Sequence, residues 1–103
     1  MNLHYLLDEN GNATPEPDLM KWAASVEGHK HWRVAEDWVN GQSVRVSTIF
    51  LGLDHRWGGG DPVLWETMIF GGEHDGYQER YTSQRAALDG HAAAVLLARG
   101  STP

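Results

Sequence analysis

The chain has 103 residues, 41% hydrophobic and 21% charged, the balance of one globular domain rather than of a disordered segment. Fourteen acids against eight scattered bases give a formal net charge of −6, so the basic field that displaces counterions from nucleic acid is missing. With no cysteine there is no disulfide, thiol catalysis or thiolate metal site, and no apolar run approaches the ~20 residues of a membrane span.

Residues 3–7 read as a short first strand, and the turn-forming, Pro- and Asn-rich residues 8–17 read as a loop. Asp18 can cap a helix in which Leu19, Trp22, Ala23 and Val26 recur at helical spacing, with Gly28 where a terminating glycine belongs. Asn40-Gly41 then marks a type I′ turn between strands at residues 30–39 and 42–53. A two-residue turn sets Glu36 opposite Arg45 and Ala35 opposite Val46. One face then gathers Ala35, Val44, Val46 and Phe50 as core. The other carries the Glu36–Arg45 pair with Trp32 and Trp38.

Beyond Ser47 the alternation stops, and Ile49, Phe50, Leu51 and Leu53 predict a strand half covered on both faces. Residues 63–70 have the same character and should pair with it antiparallel. Gly71-Gly72 ends that strand, and residues 77–81 add a shorter one. Thr82 caps a last helix at residues 83–99, on which Ala87, His91, Ala94, Val95 and Ala98 share a face. The sum is one α+β domain, β-α-β-β-β-(β)-α, with two helices on a mostly antiparallel sheet of four to five strands.

Strands alternating up and down carry the loop at residues 54–62 and the start of the last helix to one pole. That pole is the expected site, with Asp54, His55, Arg56, Trp57, Gly58, Gly59, Gly60 and Arg80 near it. The run sets a carboxylate, an imidazole, a guanidinium and an indole beside a backbone able to approach an anion closely. The plainer reading makes it a long hairpin turn closed by Asp54. Glu66 interrupts an apolar strand, so it must be paired, protonated or bound. A structural pairing with Arg80 or Arg56 satisfies that need.

Asp54, His55, Glu66 and His74 or His91 match no recognised metal-ligand spacing, His29-Lys30-His31 is a loop pair, and the Asp8 run departs from a calcium loop. Gly-x-Ser-x-Gly is absent as well. No metal, cofactor or catalytic residue is therefore expected, and His91 reads as a packing histidine. The five tryptophans are many for this length. Trp22 and Trp65 suit a core. Trp32, Trp38 and Trp57, if exposed, suit a partner surface, unless the first helix covers the first two.

The run Val46-Ser47-Thr48-Ile49-Phe50-Leu51-Gly52-Leu53-Asp54-His55, followed by Gly58-Gly59-Gly60-Asp61-Pro62-Val63-Leu64-Trp65-Glu66-Thr67-Met68-Ile69-Phe70-Gly71-Gly72, resembles a family of small uncharacterised proteins of bacteriophages and prophages. The likeness extends to Arg80-Tyr81 and Gly90-His91, and loosely to Leu19 and Trp22. It implies a phage protein acting in the host bacterial cytoplasm, and no mechanism. The start Met1-Asn2-Leu3-His4-Tyr5 shows no signal-peptide pattern, in keeping with that compartment.

The expected function is non-enzymatic binding of a protein of host or phage, through the pole loop and exposed tryptophans, with inhibition of a host defence as one role. No direct nucleic-acid or membrane binding is expected. The first alternative is a small-ligand or nucleotide-handling, even hydrolytic, protein. It would use Asp54, His55, Glu66 and Arg80 around an anion held by Gly58–Gly60 and the helix end. The second is a self-associating virion or assembly accessory.

Overall fold

A computed structural model of the chain describes residues 3–27, 32–56 and 58–100. In chain order the elements are β1 (Tyr5–Leu7), β2 (Ala13–Pro15), α1 (Leu19–Glu27), β3 (Arg33–Val39), β4 (Val44–Phe50), β5 (Trp65–Phe70), β6 (Gln78–Tyr81) and α2 (Gln84–Ala98). β3 to β6 form an antiparallel sheet in sequence order, and β1 pairs with β2 in a separate ribbon. The α+β class therefore stands, with one strand more than expected. Residues 8–17 are not wholly loop, because Asp8 Oδ1 accepts from the Asn10 and Asn12 N–H groups and folds the chain back into β2.

The helix starts follow their caps. Asp18 Oδ1 accepts from the N–H groups of Met20 and Lys21. For α2 the cap is Ser83, not Thr82: its extended backbone lets Oγ accept from Ala86 N–H at 3.1 Å. The α2 face buries Ala87, His91, Ala94, Val95 and Ala98 against the sheet, as the spacing predicts. On α1, Leu19 and Ala23 are exposed and Trp22 is half-buried. Gly28, the His29-Lys30-His31 run and Trp57 lie outside the described residues.

The β3–β4 register differs by two residues from a two-residue turn. Val39 pairs with Val44, Asp37 with Val46 and Glu36 with Ser47. The connection is longer because Asn40, Gly41 and Gln42 all take positive φ (54°, 67° and 71°). Asn40 Nδ2 also donates to the Ala98 carbonyl at the end of α2, tying the turn to the helix. A two-residue slip preserves the faces, so Val44 and Val46 remain core and Val39 joins them, Ala35 is only half-buried, and Glu36 still reaches Arg45 at 3.2 Å.

A bulge between Arg33 and Ala35 breaks that parity. It swings Trp32 away from Trp38 and onto Phe50, with ring centroids 5.5 Å apart. Edge-to-face contacts then run from His4 through Trp22, Trp32 and Phe50 to Trp65, at 4.7, 6.0, 5.5 and 5.3 Å. This chain joins α1 to the sheet through Gly52. Its carbonyl accepts from Tyr5 N–H and Trp22 Nε1, and its positive φ and the Trp32 ring against it leave no room for a Cβ.

α2 lies along β3 to β6, whereas α1 packs on β1. No described helix covers the second face of the four-stranded sheet. The expected two-sided cover of residues 49–53 is therefore incomplete: Phe50 is fully buried, but Ile49 and Leu51 are half-buried and Leu53 is exposed.

Candidate functional site

The groups able to form a site fall in four places. At the first, the loop after Leu53 does meet the start of α2. Leu64 N–H donates to the Tyr81 carbonyl, and Asp61, Pro62, Thr82, Ser83 and Gln84 border one cleft of about 250 Å³. Asp54, His55, Arg56 and Gly58–Gly60 are not part of that cleft. Asp54 Oδ1 accepts from the N–H groups of Arg56 and Val63. Its Oδ2 lies 2.7 Å from Arg56 Nε, and Arg56 Nη1 donates to the Gly60 carbonyl. Burial opposes the charged form of Asp54, but these hydrogen bonds and the guanidinium outweigh it and hold the carboxyl below its ordinary 3.8. This cluster fastens the loop. His55 donates its backbone N–H to Val63.

At the second place, Glu66 is 7% exposed, lies 2.9 Å from Arg80 Nε, and also accepts from Gln78 Nε2. The carboxylate is satisfied by its β6 neighbours, as the register Glu66↔Arg80 requires. Asp54, Glu66 and Arg80 thus divide between two separate pairs and do not converge. No hydrogen bond or ion pair among the described residues joins the two pairs into the shared centre that the hydrolytic or anion-handling alternative calls for.

The third place is a buried polar chain that the sequence did not reveal. Asp37 Oδ2 lies 2.8 Å from His91 Nε2, His91 Nδ1 lies 2.7 Å from Thr48 Oγ1, and Thr48 Oγ1 lies 2.5 Å from Thr67 Oγ1. The order carboxylate, imidazole, hydroxyl is that of a nucleophilic triad. Here the hydroxyl end is at 0% exposure and only the Asp37 end reaches solvent, so no substrate can approach the threonine. The chain pairs buried polar groups between α2 and the sheet. Beside it, burial pushes the Tyr81 hydroxyl above its usual value; Thr67 opposes the shift, and Tyr77 and Glu79 add to it.

The fourth place is the uncovered face of the sheet. The register aligns Trp38, Arg45 and Phe70 in one row, Glu36, Ser47, Met68 and Gln78 in the next, and Arg33, Ile49, Glu66 and Arg80 in the third. Trp38 is 54% exposed and Phe70 39%, and the Arg45 guanidinium sits 4.3 Å above the Phe70 ring. Arg33, Arg45 and Arg80 against Glu36 and Glu66 leave this face at +1 on a chain of −6, so the remainder carries −7. Of the three tryptophans considered as contacts, Trp38 is on this face, Trp32 is in the aromatic core chain, and Trp57 is outside the described residues.

Among the described residues no group of three His, Asp or Glu side chains could hold a metal, and no helix is long and apolar enough to cross a membrane. Comparison of the chain with family models, with curated proteins and with solved structures gave no match.

Proposed function

We propose that this protein is a non-enzymatic binding module whose uncovered sheet face receives a protein partner. The supporting observation is Trp38, an indole half open to solvent on a face that no described helix covers. Phe70, Met68 and Ile49 add apolar surface on the same face, with Arg45 between Trp38 and Phe70 and with Arg33 and Arg80 at the ends of the third row. Trp and Arg are the residue types that carry much interface energy, and here Trp38 has Arg45 as its cross-strand neighbour. The local +1 charge favours a partner that brings an apolar anchor with a nearby carboxylate. A second copy would set two such faces against each other with like net charge. Nucleic acid is disfavoured because Arg45 and Arg80 are each committed to a glutamate and the chain as a whole is acidic.

The resemblance to phage proteins makes a host protein of the bacterial cytoplasm the partner to seek, and blocking a host defence component the role to test. Affinity capture from bacterial lysate should compare the wild type with Trp38→Ala and with Leu96→Ala, whose side chain is exposed on α2. The expected outcome is a protein retained by wild type and Leu96→Ala but reduced at least about tenfold by Trp38→Ala. Capture that ignores Trp38, or that retains only nucleic acid or the chain itself, would contradict the proposal.

A further inference from the structure

β3 is an edge of the four-stranded sheet. Every second residue of an edge strand turns its N–H and C=O away from the sheet, and no described residue outside β4 bonds to the β3 backbone. Edges are ordinarily blunted by lysine, proline or a bulge. β3 contains neither residue, and its bulge lies at the Arg33 end, so residues 35–39 form a regular edge open to a further strand.

Beside that edge runs a groove of about 410 Å³, bordered by Asp37 on β3 and by Leu88, Ala92, Leu96 and Arg99 on α2. Strand and helix run alongside each other in the same direction, since Asp37 meets His91 and Asn40 meets Ala98. Three extended residues and seven helical ones each advance about 10 Å, so the two stay in step. Leu88 and Leu96 are 42% and 61% exposed, one on each side of the exposed Ala92, and lie about 12 Å apart along the helix. In an extended chain, residues four apart share a face and are separated by about 13 Å. A strand laid against β3 can therefore set one apolar side chain on each leucine, with the residue midway between them beside Asp37.

Charge selects that middle residue. The Asp37 side chain is 56% exposed; His91 Nε2 holds its Oδ2, and Oδ1 has no partner among the described residues. Arg99, the cation of the groove, stands eight residues beyond His91, about 12 Å farther along α2. A lysine or arginine on the incoming strand complements the carboxylate, and the −6 charge of the chain favours it. A second copy fits less well, because antiparallel pairing across β3 would bring Glu36 and Asp37 against the same two acids.

We propose that β3 is extended by a strand of a protein partner, in which a lysine or arginine is flanked two residues away on each side by an apolar residue. Backbone hydrogen bonds to the β3 edge supply affinity, and Asp37, Leu88 and Leu96 supply the sequence preference. The groove lies on the α2 side of β3, opposite Trp38, so it is independent of the partner proposed for the sheet face.

The test titrates the 15N-labelled protein with the capped peptide Thr-Leu-Thr-Lys-Thr-Leu-Thr, following the amide resonances of β3. Companion peptides replace the lysine by glutamate, replace both leucines by alanine, or carry methyl groups on the backbone nitrogens. The lysine peptide should shift the β3 amides saturably, and each companion should bind at least about tenfold more weakly. Asp37→Asn should remove the preference for lysine over glutamate, and Leu88→Ala should weaken the lysine peptide at least about fivefold. The proposal is overturned by the glutamate or N-methylated peptide binding as well as the lysine peptide, by a lysine preference that survives Asp37→Asn, or by no shift up to about 5 mM. Shifts of the β3 amides on dilution without peptide would assign the edge to a second copy and overturn it as well.

Discussion

Two residues, Asp54 in the loop after Leu53 and Gly90 within α2, have measurable consequences for stability. Asp54 has a folded pKa held below 3.8, so the sign of its linkage is that of a depressed acid. Its contribution is present above the unfolded value and is lost as pH falls through the lower folded value. Asp54→Ala should cost about 2 kcal/mol at pH 7 in urea unfolding, with the difference from wild type shrinking below about pH 4. A pH-independent difference would refute the linkage. Gly90 is the second. In an ordinary helix Gly→Ala stabilises by about 1 kcal/mol, but here a Cβ would run into the Tyr81 ring. Gly90→Ala should therefore destabilise by about 1–2 kcal/mol, and in a Tyr81→Ala background the same change should stabilise. That Glu66 needs a partner was legible in the sequence, and so was Arg80 as one choice. That Asp54 closes its loop was legible as the plainer reading, but the Val63 backbone as one of its partners was not, since it lies nine residues away and is placed only by the folded loop.

At the scale of elements, periodicity revealed what periodicity controls. The buried face of α2 was readable because five residues repeat at helical spacing. The β3–β4 pairing was readable in faces but not in register, since Asn40-Gly41 signals a turn without giving its length. The bulge left no sequence mark, so Trp32 was placed on the wrong side. The polar chain from Asp37 to Thr67 was hidden for a related reason. His91 looked like a packing residue, and only the sheet register sets Thr48 against it. Thr48→Val should leave His91 Nδ1 and Thr67 Oγ1 without this partner in a dry site and cost about 1–3 kcal/mol. Asp37→Ala, at the solvent end, should cost less than about 1 kcal/mol. Equal losses in thermal or urea unfolding would show that the solvent end anchors the helix instead.

For the whole molecule, the four-stranded sheet is covered by α2 on one side while α1 is occupied with β1 and the aromatic chain. The consequence is an open face that is close to neutral on an acidic protein, with Trp38 at one corner. Trp38 is 54% exposed and pairs with Arg45 across β3 and β4, so Trp38→Ala is expected to cost about 1–2 kcal/mol in urea unfolding and to leave the chain folded. The most direct measurement places a photoreactive phenylalanine analogue at position 38, and separately at position 96 on α2, and irradiates the protein in bacterial lysate. Adducts to one protein from position 38, absent from position 96 and competed away by unlabelled wild type but not by Trp38→Ala, are the predicted result. Adducts spread equally over both positions, or formed only with the chain itself, would contradict the sheet face as the binding surface.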